Sequence, residues 1–207
     1  HTPIRRQRQM CIRDRDTYAA VFSAAKKGEK SIVSIIGTGS NCTYFDGENI
    51  HQKVTSLGYV LMDDASGNYF GRQMIRDYFF EKMPDDISQE FSKSFELNPN
   101  IIKYKLYKKP NPNTYLAKFA KFIVENKENK YCLDLIKKGF NLFITNQIEQ
   151  FEDCKQIPLH FIGSISFYLK DELNDCLIKR GMKLGNVLKK PIDGLVNYHL
   201  KLSLIHI

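Results

Sequence analysis

The stretch Ser31-Ile32-Val33-Ser34-Ile35-Ile36-Gly37-Thr38-Gly39-Ser40-Asn41 limits the fold more than any other part of the chain. Its β-branched run is a buried strand by pattern, and it feeds directly into a turn of small residues. Two glycines flanking a hydroxyl residue let an anion approach backbone N–H groups that a bulky side chain would cover. Thr38 and Ser40 add hydroxyl donors. Taken alone, the Gly-Thr-Gly-Ser quartet reads more simply as a hairpin turn. It is not a P-loop, since no Gly-Lys-Ser/Thr follows and no helix opens directly after it.

The chain downstream sharpens that choice. Cys42–Phe45 and Glu48–His51 are strands joined at Asp46-Gly47, a hairpin signal, so the glycine turn connects two strands. Leu57–Met62 is apolar and closes on Asp63-Asp64-Ala65-Ser66-Gly67. Adjacent carboxylates after an apolar segment call for a cation, a hydroxyl-rich ligand or water nearby, or else form a solvated helix start. A helix over 68–81 follows, with Tyr69, Ile75, Tyr78 and Phe79 for its inner face and Arg72 and Arg76 outside. Helical patterns continue over 87–95, 101–107, 113–125 and 131–150, broken by two prolines in Lys109–Asn113. Ile157–Ile162 then reads as a strand running into Gly163-Ser164, with a helix over 165–179 opening at once. That arrangement places free N–H groups at a helix start, suited to an anion or a ribose phosphate. His160 reads as a hydrogen-bonded core histidine. Leu184–Leu188 is a short strand or extended link, and Pro191 opens a last helix.

Composition excludes several classes. With 43% hydrophobic and 26% charged residues among 207, the chain is that of a globular protein, and no apolar run approaches a membrane span. Five cysteines without a C-x-x-C pair indicate neither a zinc site nor a disulfide framework. The formal charge of +8 points toward nucleic acid only if the ends are native. Residues 1–15 resemble translated sequencing-adapter read-through, as does the tail over 201–207. The five arginines and Asp14 of the first stretch carry +4 of that charge, leaving an unremarkable +4. The expectation is therefore one domain over 16–200, cytoplasmic, with no nucleic-acid or membrane partner, from a protein that extends beyond both ends.

Five segments fall in the order of one family: Ile36–Cys42, Tyr44–Gly47, Leu57–Gly67, Phe161–Ile165 and Pro191–His199. The chain resembles the C-terminal part of the N-acetylglucosamine kinase-like proteins of the BadF/BcrA ATPase group, in the actin and hexokinase superfamily. The resemblance implies an α/β, ribonuclease H-like domain of the actin-like ATPase type, a mixed sheet flanked by helices, lacking the N-terminal half. It also implies phosphoryl transfer from ATP, with Mg2+, to a hydroxyl of N-acetylglucosamine or a related amino sugar. By that match Gly37, Thr38 and Gly39 face ATP, as do Gly163 and Ser164 at the adenosine turn. Ser40, Asn41, Gly58 and Asp63 face the sugar. Asp16, read from pattern as a helix N-cap, matches the catalytic base. No metal ligand is assigned, the first phosphate loop would lie upstream, and the stretch alone is expected to be inactive. A homodimer is an open expectation.

Departures stand at Met62, Asp64 and Ala65, where the family has Gly, Glu and Gly. They leave room for two other readings, an ATPase that activates a partner enzyme and a non-catalytic sugar or nucleotide sensor. The sugar-kinase reading makes two geometric demands: the turns at 37–40 and 163–164 face one cleft, and the helix over 191–200 packs poorly.

Overall fold

A computed structural model describes residues 17–192. Five strands, β1 (Ser31–Ile36), β2 (Ser40–Phe45), β3 (Ile50–His51), β4 (Pro158–Ile162) and β5 (Lys183–Leu188), form one mixed sheet in the order β3-β2-β1-β4-β5. β2 pairs antiparallel with both β1 and β3, whereas β1–β4 and β4–β5 run parallel. β1 lies between neighbours and is buried along nearly its whole length, as expected of a strand covered on both faces.

Alternation along β1 splits the core in two. Val33 joins Phe45 and Ile162 beneath Ala20, Val21 and Ala24 of helix α1, which spans 17–24. Ile32 and Ile36 face a larger core on the opposite side. That core is covered by α2 (Gly67–Phe79), α3 (Asp85–Ser94), α4 (Pro99–Tyr107), α5 (Pro112–Ala117), α6 (Ala120–Glu125), α7 (Lys130–Phe143), α8 (Ser164–Tyr168) and α9 (Lys170–Ile178). The fold is thus α/β with a mixed sheet between helices, as expected.

Several expected helices are interrupted, each for a tertiary reason. The single helix over 113–125 is two, because Lys118 and Phe119 bond to the carbonyls three residues back and turn Phe119 toward Phe95, ring centroids 4.7 Å apart. The helix over 131–150 ends in a π-helical turn, Ile144–Ile148, which buries Ile144 and Ile148. The helix over 165–179 breaks at Leu169, which leaves helical geometry (φ −109°, ψ 33°) and is fully buried. On α2, Phe79 is 44% exposed rather than inward, and Arg72 is half-buried rather than outside.

The core histidine is as expected: His160 is buried, and its Nδ1 accepts from Asn186 N at 2.8 Å. Cys42, Cys132, Cys154 and Cys176 are buried free thiols. Among the described residues no helix is long and apolar enough to cross a membrane. Asp16 and the helix over 191–200 beyond residue 192 lie outside the described residues, as do 1–15 and 201–207.

Candidate nucleotide and sugar site

The turn after β1 is held from behind by a helix. β1 and β2 pair up to Ile36↔Ser40, leaving Gly37-Thr38-Gly39 as the connection, with Gly37 N–H donating to Gly39 O at 2.9 Å. The first N–H groups of α2 take the outward carbonyls: Gly67 N donates to Gly37 O at 2.7 Å and Asn68 N to Thr38 O at 3.0 Å. The Asn68 side-chain amide adds a bond to Thr38 O at 2.7 Å. With two carbonyls drawn against α2, the N–H groups of Thr38 and Gly39 make no hydrogen bond among the described residues. Such unpaired N–H groups at a small-residue turn are an anion cradle.

The second turn meets the first. Parallel pairing of β1 with β4 sets Ile35 beside Ile162, so the two strands end together. A Cβ on Gly163 would lie 2.2 Å from Ile36 O and 3.0 Å from Gly37 N, a contact that only glycine permits. Gly163 also has φ +128°, and its N–H donates to Leu188 O. Ser164 is exposed and opens α8. Beside it lies a cavity of about 500 Å³, bounded by Ser164, Ile165 and Tyr168 on one side and by Ala117, Ala120, Lys121 and Val124 on the other. That volume is in the range of small-molecule sites. Ala117 also packs near Gly67, beside the Gly37 carbonyl, so the cavity adjoins the first turn.

An acidic group stands at the same turn. Asp63 is buried, accepts from Asn68 Nδ2 at 3.0 Å, and has Oδ2 2.7 Å from where a Cβ on Gly39 would be. Its backbone is left-handed (φ +67°), as is that of Ala65 (φ +59°). The carboxylates of Asp63 and Asp64 diverge. Asp64 accepts from Asn146 Nδ2 at 2.9 Å, and its carbonyl accepts from Ser40 Oγ at 2.8 Å. Neutral amides thus donate to both members of the acidic pair.

Of the remaining expected residues, Thr38 is exposed at the tip, and Gly58 turns the loop ahead of Met62 with φ +85°. Ser40 and Asn41 are consecutive in β2 and face opposite ways. Ser40 meets the Asp64 backbone, while Asn41 Oδ1 accepts from Gln52 Nε2 at 3.1 Å. The sequence reading missed Asn68, which ties Thr38 to Asp63 and is fully buried. Only its place just inside a Ser66-capped helix hinted at a role. Among the described residues no group of three or more histidine, cysteine or acidic side chains could hold a metal ion.

Solved structures share this fold. A Porphyromonas gingivalis protein provisionally named as an N-acetylglucosamine kinase is 34% identical, with a TM-score of 0.82 over 87% of this chain and 63% of its own length. A Chromobacterium violaceum protein under the same provisional name is 14% identical, with a TM-score of 0.68 over 88% of this chain and 64% of its own; it speaks for the fold alone. The chain therefore spans less than two thirds of the length of either relative. No family model matches the chain, and no curated protein does.

Proposed function

We propose that this chain, N-acetylglucosamine kinase-like and of the actin and hexokinase superfamily fold, is the ATP-holding part of a sugar kinase. The reaction is transfer of the γ-phosphoryl group of ATP to a hydroxyl of N-acetylglucosamine or a related amino sugar. The observation that carries the reading is the contact of Gly163 with Ile36 and Gly37, which joins two N–H-bearing turns beside one cavity.

In this reading the free N–H groups of Thr38 and Gly39 hold phosphate oxygens. Gly163 and Ser164 admit the ribose to the cavity between α8 and α5–α6. Asp63 at Gly39, with Gly58 and Ser40 around it, marks the sugar end. Asn41, whose Oδ1 accepts from Gln52, belongs to the same end. Asp16 is assigned the base that takes the proton of the attacking hydroxyl. Phosphoryl transfer asks chiefly for positioning and charge stabilisation, which a cradle of N–H groups supplies. The left-handed backbone at Asp63 and Ala65 supports a working acidic turn over a sensor with an altered one.

Titration of this chain with a fluorescent ATP analogue tests the reading, in the wild type and in Gly37→Ala. A Cβ on Gly37 would have no atom within 4 Å, so the variant keeps the fold while crowding the phosphate. Saturable binding that weakens about tenfold or more in the variant, about 1.4 kcal/mol, is expected. Absence of saturable binding, or equal affinity in both proteins, overturns the reading.

A further inference from the structure

A second cavity lies across α5 from the first. It has a volume of about 350 Å³ and is walled by Val60, Ile75, Leu106 and Leu116, with Arg72 and Arg76 of α2 on its lining. Leu116 borders this cavity and Ala117 the nucleotide-side one, so α5 separates the two.

The two arginines are spaced i, i+4 and share one face of α2, where like charges repel. No aspartate or glutamate is among the lining residues, and neither arginine forms an ion pair among the described residues. Arg72 spends one terminal nitrogen on Tyr59 O at 3.3 Å and Val60 O at 3.1 Å, and its Nε is buried with no acceptor. Arg76 is exposed and lies over the Phe80 ring at 5.8 Å. An unpartnered buried guanidinium N–H is unfavourable until an acceptor arrives. A guanidinium fork is suited to the paired oxygens of a carboxylate or a phosphate. The apolar walls require the rest of the ligand to be hydrophobic.

We infer that this cavity binds a small amphipathic anion, a single carboxylate or phosphate head on an apolar body, with Arg72 and Arg76 on the head and Val60, Ile75, Leu106 and Leu116 around the body. The site is independent of the nucleotide reading. Its ligand contacts the Tyr59–Val60 loop, which leads to Asp63, and α2, whose first residues hold the phosphate turn.

The test uses 1-anilinonaphthalene-8-sulfonate, itself an apolar anion, titrated into the chain, with octanoate, octyl phosphate, octanol and ATP as competitors. Saturable fluorescence is expected, displaced by octanoate, by octyl phosphate or by both. Which of them competes tells carboxylate from phosphate. Octanol should compete at least tenfold less well, and ATP should not compete. Arg76→Gln should weaken the probe at least tenfold with the urea midpoint unchanged, because Arg76 is exposed. Arg72→Gln should also weaken the probe at least tenfold, and octanoate should raise the urea midpoint of the wild type but not of Arg76→Gln. No saturable signal, octanol matching octanoate, displacement by ATP, or undiminished binding in a folded Arg76→Gln protein would each overturn the inference.

Discussion

Replacing Gly163 by alanine tests the junction on which the site is built. Two costs add. The backbone there, φ +128° and ψ 161°, belongs to a region open almost only to glycine, at about 1–3 kcal/mol for another residue. The new Cβ would also fall 2.2 Å from Ile36 O and 2.6 Å from Ile36 C, atoms of a central strand that cannot swing aside as a side chain tip can. Overpacking of that kind adds about 1–3 kcal/mol, for a total of about 2–6 kcal/mol. In a chain of this size, about 4 kcal/mol lowers the Tm by about 8–16 °C. Gly181→Ala is the control, because Gly181 is left-handed (φ +69°) with open space at its Cβ, so it carries only the conformational cost of about 1 kcal/mol. Urea and thermal unfolding followed by circular dichroism measure both variants. If Gly163→Ala is no less stable than Gly181→Ala, the close approach of the two turns is wrong, and the shared cleft with it.

Asn68→Ala should lose about 2–3 kcal/mol by urea denaturation, since it strips the amide donor from a buried carboxylate; its coupling with Asp63→Ala in a double-mutant cycle should be about 1 kcal/mol or more. His160 makes stability depend on pH. Burial lowers its pKa from 6.5 to about 4, and protonating Nδ1 would end its bond from Asn186 N. Between those values the unfolded chain binds the proton and the folded one does not, so stability is full above pH 6.5 and falls toward pH 4. The loss is about 3 kcal/mol at most, and His160→Gln should flatten that part of the urea-midpoint profile. Gly37→Ala should move the urea midpoint by no more than about 0.5 kcal/mol, which keeps its effect on nucleotide affinity separable from folding.

The parts of this fold that were legible in the sequence are those set by neighbours in the chain. β1 could be read with its bounds because six consecutive small and β-branched residues admit little else, and the Asp46-Gly47 hairpin because Asp46 Oδ1 caps the N–H groups of Glu48 and Asn49 locally. The helix breaks at Phe119 and Leu169 were hidden, since each exists to bury a side chain against distant elements and the apolar period runs through them unbroken. The candidate site divides in the same way. The glycine turns were visible as turns, but their contact follows from parallel pairing of strands far apart in sequence, which only the family likeness suggested. Asn68 had no signal of its own, because its two bonds depend on where β1 and the acidic segment end.

The departures at Met62–Ala65 bear directly on how this site is held. An alanine in the left-handed region costs about 1 kcal/mol more than a glycine, yet Ala65 takes φ +59° and is fully buried. Such strain persists only where the surroundings over-determine the backbone. Here they do: Ser40 Oγ fixes the Asp64 carbonyl from β2, Asn146 holds the Asp64 carboxylate from the π-helical turn, and Asn68 holds Asp63 from α2. Ser66 N–H donates back to Asp63 O, and the Ser66 hydroxyl then caps α2. The same helix start fixes the carbonyls of Gly37 and Thr38. The acidic segment and the Gly37–Gly39 turn are therefore two faces of one hydrogen-bonded unit, so a change that relaxes Asp63 also loosens the carbonyls of Gly37 and Thr38 and with them the proposed anion cradle.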